Sequence, residues 1–213
     1  LGPSGFFRED TPYSPRSPYS ASKAVADHLV RAYGHTFGLP VVITNCSNNY
    51  GPYQFPEKLI PLVIANARHE KPIPVYGRGE NIRDWLYVDD HCAALERVID
   101  YADDQQTFVI GGGAERRNID LVRLIADLVD EALGRPSGTG RDLIRFVADR
   151  PGHDFRYAMD FTRIRDNLGW APAFSLEEGL RRTVAWYLDN DAWLRSVMDE
   201  SYRSYYARQY EHR

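Results

Sequence analysis

Cysteine is scarce in this sequence, which has only Cys46 and Cys92 among its 213 residues. Two cysteines at this spacing form neither a disulfide framework nor a metal-binding pattern, so we expect no metal site and a reducing, cytoplasmic environment. Every apolar run is shorter than the roughly 20 residues that a membrane helix needs, and no signal-peptide pattern begins the chain. The formal net charge of -4 is near balance, which argues against a nucleic-acid-binding surface. We therefore expect neither membrane nor nucleic acid as a partner.

A second absence concerns glycine. The sequence contains no G-x-G-x-x-G, the turn that binds the phosphates of a dinucleotide in a Rossmann-type domain. Gly111, Gly112 and Gly113 stand together, but their spacing does not match that turn. The chain also starts at Leu1 rather than at a methionine. We therefore expect it to be a piece of a longer protein.

Short β-branched segments alternate with helical segments along the chain. Strands are predicted at 41–46, 72–76, 82–88, 107–110 and 143–147. Helices are predicted from Pro18 to Gly34 or Gly38, at 57–69, at 90–101 with Asp89 as its cap, at 118–134, at 162–168, and after the capping box that begins at Ser175. This alternation favours an α/β fold with a parallel sheet and a smaller mixed region.

Tyr19 and Lys23 are the most informative pair of side chains. Their spacing of four places a phenol and an ammonium on one face of the predicted helix. A phenol with its ordinary pKa of about 10 is a poor base at neutral pH, but a neighbouring cation favours the phenolate. The pair could therefore supply a tyrosine base. Because many amphipathic helices carry Tyr and Lys at this spacing, the spacing alone also allows a purely structural interpretation.

Asn48 and Asn49 follow the predicted strand at 41–46. Open α/β sheets bind ligands beyond the carboxyl ends of their strands, so both asparagines are candidate ligand contacts. The alternative is that they form a turn before Gly51-Pro52, since asparagine is common in turns. The residues alone leave both interpretations open.

Five motifs in a fixed order support a more specific hypothesis. They are Tyr19-Ser20-Ala21-Ser22-Lys23, Asn45-Cys46-Ser47-Asn48-Asn49-Tyr50-Gly51-Pro52, Phe55-Pro56-Glu57-Lys58-Leu59-Ile60-Pro61, Ile82-Arg83-Asp84-Trp85-Leu86-Tyr87-Val88 and Asp149-Arg150-Pro151-Gly152-His153-Asp154. Over essentially the whole chain they resemble the dTDP-glucose 4,6-dehydratase family of the extended short-chain dehydrogenases/reductases. The resemblance implies that the chain is the carboxyl-terminal portion of such an enzyme. A glycine-rich βαβ unit and an Asp-Glu pair would lie upstream of Leu1, so the chain alone is expected to be inactive or impaired.

The reaction that the resemblance implies is the dehydration of dTDP-glucose to dTDP-4-keto-6-deoxyglucose, with internal hydride transfer through NAD. Tyr19 would act as the base at the C4 hydroxyl, and Lys23 would stabilise the phenolate and bind the nicotinamide ribose. Cys46 and Asn49 match contacts near the nicotinamide. The positions that match nucleotide-sugar contacts are Asn48, Lys58, Leu59, Pro74, Tyr76, Arg83, Asn118, Arg150 and His153.

Several of these residues also have ordinary structural interpretations. Leu59 and Pro74 are equally suitable core residues. Without the resemblance, Arg83 would be taken as a surface residue on an edge strand, and Arg150 to His153 as a basic turn. The acidic pair Glu9-Asp10 is interpreted as a solvated turn rather than as a substitute for the missing carboxylates.

The resemblance also predicts a domain organisation. The fold would be the carboxyl-terminal part of a Rossmann-type parallel sheet, with a smaller mixed α/β substrate domain. Residues 1–52 and 81–112 would form the remaining part of the NAD-binding domain, and residues 53–80 and 113–213 the nucleotide-sugar-binding domain. The full-length protein is expected to be a homodimer. Alternatives on the same fold are a nucleotide-sugar epimerase or decarboxylase, and a further alternative is a non-catalytic fragment that binds a nucleotide sugar.

Overall fold

The structure is a computed structural model that describes residues 1–2, 4–149, 152–198, 202 and 206. Among these residues the helices are α1 (Pro18–Phe37), α2 (Leu59–Arg68), α3 (Val88–Tyr101), α4 (Asn118–Ala132), α5 (Thr162–Leu168), α6 (Leu176–Asp189) and α7 (Asp191–Val197). The strands are β1 (Ile43–Cys46), β2 (Asn48–Tyr50), β3 (Ile73–Tyr76), β4 (Ile82–Tyr87), β5 (Thr107–Ile110), β6 (Glu115–Arg117) and β7 (Ile144–Val147). A short 3-10 helix lies at Arg141–Leu143. None of the described helices combines the length and the apolar character that crossing a membrane requires.

The chain folds into two compact units, each assembled from separate stretches of sequence. Unit 1 comprises Leu1–Asn49, Arg83–Glu115 and Asp154–Ala173. Unit 2 comprises Tyr50–Ile82, Arg116–His153 and the chain from Phe174 onwards. Strands β2, β4 and β6 each contain a point at which the chain passes from one unit to the other.

Unit 1 is built on the parallel pair β1 and β5. Ile43 lies opposite Thr107, and Cys46 lies opposite Ile110, so both strands end at the same edge. Apolar side chains of β4, β5, α3 and α5, together with a tryptophan just after α5, form the core cluster of this unit. Its buried members are Leu86, Ala94, Val98, Phe108, Ile110, Ile164, Leu168 and Trp170.

Helix α1 begins and ends where its sequence predicts. Ser17 caps it by accepting a hydrogen bond from the Ser20 N–H at 3.1 Å, and Pro18 occupies the first turn. Gly38 ends it in the left-handed conformation with a φ of 66°. In α1, all of whose residues are described, the buried residue is Gly34. A Cβ at Gly34 would lie 2.5 Å from Val41 Cγ2, so the helix packs closely against Val41, just before β1.

Unit 2 has a second parallel pair and a helical core. Strands β3 and β7 pair in register from Ile73 opposite Ile144 to Tyr76 opposite Val147. Helices α2, α4 and α6 contribute apolar side chains that are almost fully removed from solvent. The most completely buried of them include Val63, Ile64, Leu121, Val122, Ile125, Val129 and Leu180.

One local prediction is wrong, and one alternative is excluded. Asp89 does not cap α3, because the helix already begins at Val88 and Asp89 lies in its first turn, where its charge complements the helix dipole. Asn48 and Asn49 belong to the short strand β2 rather than to a turn. Strand β6 and helix α7 were not predicted, since neither has a clear periodic apolar pattern.

Candidate active site

One face of α1 carries Tyr19, Lys23, Asp27 and Arg31 at intervals of four residues. The Asp27 carboxylate accepts a hydrogen bond of 3.0 Å from the Asn45 amide on β1, and the Arg31 guanidinium donates one of 3.0 Å to the Thr107 hydroxyl on β5. Asn45 lies near the end of β1, whereas Thr107 begins β5. The helix therefore runs antiparallel to the strands, and its first turns, with Tyr19 and Lys23, lie toward their carboxyl ends.

Cys46 marks the carboxyl end of β1, beside Lys23. Burial raises the pKa of the Cys46 thiol, while a hydrogen bond from Asn49 and the positive charge of Lys23 act in the opposite direction. The Asn49 amide donates to Cys46 Sγ at 3.2 Å and to the Ser47 carbonyl at 3.3 Å. The structure thus brings Lys23, Cys46 and Asn49 together, with a neutral thiol among them. The Tyr19 side chain, one helical turn away from Lys23, is 75% exposed.

Arg83 lies on β4 and is 6% exposed, so its interpretation as a surface residue is wrong. Its guanidinium donates to the Asp154 carbonyl at 2.7 Å and to the Phe155 carbonyl at 3.4 Å. It also lies over the Tyr157 ring, 4.9 Å from the centroid. These contacts fix the position of a buried cation in unit 1.

Asp84, the next residue along β4, fixes the glycine-rich loop that follows β5. Its carboxylate accepts hydrogen bonds from the Gly112 N–H at 3.0 Å and the Ala114 N–H at 2.8 Å. Burial raises the pKa of Asp84 above its ordinary value, and these two hydrogen bonds offset only part of that rise. A Cβ at Gly112 would lie 1.9 Å from the Trp85 carbonyl oxygen, so no other residue fits there.

In unit 2, Tyr76 and His153 lie close together. His153 Nδ1 lies 2.7 Å from Asp149 Oδ1, and the His153 side chain is 6% exposed. The Tyr76 ring at the end of β3 contacts the imidazole edge-on, with centroids 6.3 Å apart. Asp149 therefore orients the imidazole, and the tyrosine ring packs against it.

Asn118 occupies the first position of α4. Its N–H donates to the Asn81 carbonyl at 2.9 Å. Its side-chain Oδ1 is buried and has no hydrogen-bond partner among the residues that the structure describes. A buried polar atom without a partner is unfavourable, so this position fits a residue that meets a ligand.

The predicted site residues are divided between the two units. Lys58 precedes α2 and is paired with Glu57 at 2.7 Å, and Leu59 is half-buried at the start of that helix. Unit 1 contains Tyr19, Lys23, Cys46, Asn48, Asn49 and Arg83. Unit 2 contains Lys58, Leu59, Pro74, Tyr76, Asn118 and His153. Arg150 lies outside the described residues.

Sequence reasoning missed the residues that support the site. Asp27 lies four residues after Lys23, and the same spacing that linked Tyr19 to Lys23 could have identified it. Asp149 lies four residues before His153, but neither residue belongs to a described helix, so the spacing gave no such signal. Asp84 gave no periodic signal. Glu9 and Asp10 lie in a turn as predicted, but Glu9 is not simply solvated, because its half-buried carboxylate accepts the Val109 N–H of β5 at 2.9 Å.

Known proteins are similar to this chain over most of its length. The family model described as GDP-mannose 4,6 dehydratase matches residues 3–183. The chain belongs to this family. It is 55% identical over 204 residues to a dTDP-glucose 4,6-dehydratase of Xanthomonas campestris pv. campestris, covering 95% of this chain and 58% of that protein. The chain thus spans less than two thirds of the length of this relative.

Solved structures give the same result. The dTDP-glucose 4,6-dehydratase of Bacillus anthracis str. Ames, in complex with NAD, is 43% identical with a TM-score of 0.83, over 92% of this chain and 60% of that one. The dTDP-glucose 4,6-dehydratase of Streptomyces venezuelae, with NAD bound, has the same identity and TM-score over 91% of this chain and 58% of that one. The predicted family resemblance and the α/β fold with parallel strands are confirmed.

Proposed function

We propose that the protein containing this chain is a dTDP-glucose 4,6-dehydratase, which converts dTDP-glucose to dTDP-4-keto-6-deoxyglucose and water. The observation that carries the proposal is the placement of α1, which holds Tyr19 and Lys23 at the carboxyl ends of two parallel strands. That edge is where open α/β sheets bind their ligands. The dTDP-glucose 4,6-dehydratases that resemble the chain along nearly its whole length support the same reaction.

The residues at this edge fit NAD as the cofactor. When bound, NAD would accept a hydride from C4 of the sugar and return it at C6. Tyr19 would remove the proton of the C4 hydroxyl, and Lys23 would stabilise the phenolate and bind the nicotinamide ribose. The neutral thiol of Cys46 and the Asn49 amide would line the nicotinamide site.

A nucleotide sugar needs cations and hydrogen-bond donors around its phosphates. Arg83 and His153 are held in fixed orientations by their neighbours, and the buried Asn118 oxygen, which has no described partner, would accept a hydrogen bond from another part of the ligand. These residues, with Asn48, Lys58, Leu59, Pro74, Tyr76 and Arg150, would bind dTDP-glucose. Residues 1–52 and 81–112 would then be the remaining part of the NAD-binding domain, and residues 53–80 and 113–213 the nucleotide-sugar-binding domain. The domain boundaries stay a prediction.

Elimination of water requires a base at C5 and an acid at the C6 hydroxyl. The family resemblance assigns these roles to an Asp-Glu pair outside this chain, so the 213 residues alone would be inactive or impaired. The complete protein would be a cytoplasmic homodimer. The apolar side chains exposed along α1, among them Val25, Leu29, Tyr33 and Phe37, suit a contact with a second copy.

Replacement of Tyr19 by phenylalanine tests the proposal. In the protein that contains this chain, Tyr19→Phe should lower kcat for dTDP-glucose by roughly 10²–10⁴-fold, because the variant lacks the proton acceptor. Tyr19 is largely exposed, so the free energy of unfolding should change little. Conversion is measured by mass spectrometry as the loss of one water from the nucleotide sugar.

Tyr101→Phe is the matched control, since Tyr101 ends α3, away from the candidate site residues, and is also exposed. Its kcat should stay within about twofold of the wild-type value, as expected for an exposed residue outside the site. Wild-type turnover in Tyr19→Phe would remove Tyr19 as the base. Release of an epimer without loss of water by the wild-type protein would contradict the dehydratase proposal itself.

A further inference from the structure

Polar side chains attach α1 to the sheet of unit 1. Its buried residue is Gly34, and the apolar residues Val25 and Leu29 are each more than half exposed. The side-chain hydrogen bonds from the helix to the strands are those of Asp27 with Asn45 and of Arg31 with Thr107. The position of Tyr19 and Lys23 over the strand ends therefore depends on directional polar contacts one and two turns further along the helix.

Asp27 is the centre of these contacts. A single carboxylate oxygen, Oδ2, accepts hydrogen bonds from the Tyr13 hydroxyl at 2.6 Å and from the Asn45 amide at 3.0 Å. The Tyr13 ring also packs edge-on against His28, with centroids 5.5 Å apart. The carboxylate thus connects three parts of unit 1, namely the loop before α1, the helix and strand β1.

Two cations flank Asp27 on the helix, and a phenol donates a hydrogen bond to it. Lys23 and Arg31 lie one turn to either side on the same helix face, and both are cations. Burial and the hydrogen bond to Asp27 raise the pKa of Tyr13, so the phenol keeps the proton that it donates. A hydrogen bond to an ionised carboxylate is stronger than one between neutral groups.

We propose that Asp27 is a positioning residue, which sets the place of Tyr19 and Lys23 relative to the carboxyl end of β1. The inference rests on the proposed function, in which Tyr19 acts on the sugar and Lys23 on the cofactor. Asp27 touches neither ligand in this scheme. It acts through the helix, because Lys23 is one turn away from it and a displacement of the backbone at Asp27 moves both site residues.

Two other attachments keep the rest of α1 in place when Asp27 is removed. Arg31 bonds to Thr107, and Gly34 packs closely on Val41. Both lie toward the carboxyl end of the helix. Loss of Asp27 should therefore loosen the turns that carry Tyr19 and Lys23, while the second half of the helix stays attached.

The test compares Asp27→Ala, Asp27→Asn and Tyr13→Phe in the protein that contains this chain. Asp27→Ala should lower kcat for dTDP-glucose roughly 100-fold with KM changed less than about threefold, since misplacement of about 1 Å has such an effect on rate. Tyr13→Phe removes one of the two hydrogen bonds and should lower kcat by about three- to tenfold. Asp27→Asn keeps an acceptor oxygen and should restore kcat to within about tenfold of wild type. Asp100→Ala, which removes an exposed carboxylate from α3, is the matched control and should leave kcat unchanged.

Amide hydrogen exchange, measured by mass spectrometry, gives a readout that does not need turnover. In Asp27→Ala, exchange should become faster at residues 18–26 and stay unchanged in α3 and α5. Wild-type kcat in Asp27→Ala would overturn the inference, and so would an equal rise of exchange across all three helices, which indicates general destabilisation. Failure of the wild-type protein to dehydrate dTDP-glucose would instead contradict the proposed function. In that case the inference is tested by amide hydrogen exchange alone, and unchanged exchange at residues 18–26 in Asp27→Ala would overturn it.

Discussion

Helices α1 and α4 are attached to their own units in different ways. Helix α4 has 15 residues and buries eight of them, including Leu121 and Ile125, against the core of unit 2. Helix α1 has 20 residues, all described, and among them Gly34 is buried. Its larger apolar side chains are exposed, and its contacts with the strands are hydrogen bonds. The helix that carries the candidate catalytic pair is therefore the one with little apolar contact.

The two modes of attachment have different physical consequences. Burial of apolar area stabilises in proportion to that area but has no preferred direction, so a helix such as α4 contributes mainly to stability. Hydrogen bonds contribute less free energy but require a defined geometry. For α1 this means that a few polar side chains determine its position, while its apolar face stays accessible to another surface.

The largest expected difference between the two helices is in the response to removal of a leucine. Leu121→Ala in α4 should lower the free energy of unfolding by about 3 kcal/mol, because the side chain is 0% exposed and its loss leaves a cavity. At protein concentrations low enough to keep the chain monomeric, Leu29→Ala in α1 should change it by less than about 0.5 kcal/mol, because that side chain is 54% exposed. Urea denaturation followed by circular dichroism measures both values.

The same pair of variants also tests whether α1 lies in the contact between the two copies of the proposed homodimer. If α1 contacts a second copy, the effect of Leu29→Ala should increase with protein concentration, whereas the effect of Leu121→Ala should not. If the two variants lose the same free energy of unfolding at every concentration, α1 is held by apolar burial as α4 is. That result would contradict the proposed difference between the two helices.

Local sequence signals predicted α1 well. Ser17, Pro18 and Gly38 each have a defined role at a helix end, and the structure places them in those roles. The strand Thr107–Ile110 and the helix Thr162–Leu168 also have the predicted bounds. These elements were predictable because the residues that determine them are adjacent in sequence.

Contacts between distant residues were not predictable in the same way. Arg83 is buried because the carbonyl groups of Asp154 and Phe155, more than 70 positions further along the chain, accept its hydrogen bonds. The Glu9 carboxylate accepts a hydrogen bond from the N–H of Val109, which lies 100 positions further along the chain. Neither partner has a periodicity or spacing that sequence analysis detects. The motifs indicated candidate site residues, whereas the structure was needed to find the residues that contact them.

A substitution at Gly34 should have the next largest effect. In an open helix, Gly→Ala stabilises by up to about 1 kcal/mol. Gly34→Ala should instead destabilise by about 2 kcal/mol, because the new methyl group would lie 2.5 Å from Val41 Cγ2 and 2.9 Å from the Gln105 side chain. The free energy of unfolding is measured in urea. The double variant Gly34→Ala with Val41→Ala should recover part of the loss, since the clash is removed, and a stabilising effect of Gly34→Ala alone would mean that α1 does not approach Val41.

Removal of a helix cap should give the smallest change in the free energy of unfolding. It should also distinguish α1, which carries the candidate catalytic pair, from α6, which does not. Ser17 caps α1, and Ser175 caps α6 by accepting the Glu178 N–H at 3.2 Å. Replacement of either serine by alanine should lower the free energy of unfolding by about 1 kcal/mol. Ser17→Ala should in addition lower kcat by a few-fold, because the first turns of α1 carry Tyr19 and Lys23, whereas Ser175→Ala should leave kcat unchanged. Equal kcat values in both variants would indicate that fraying at the start of α1 does not reach the candidate catalytic pair.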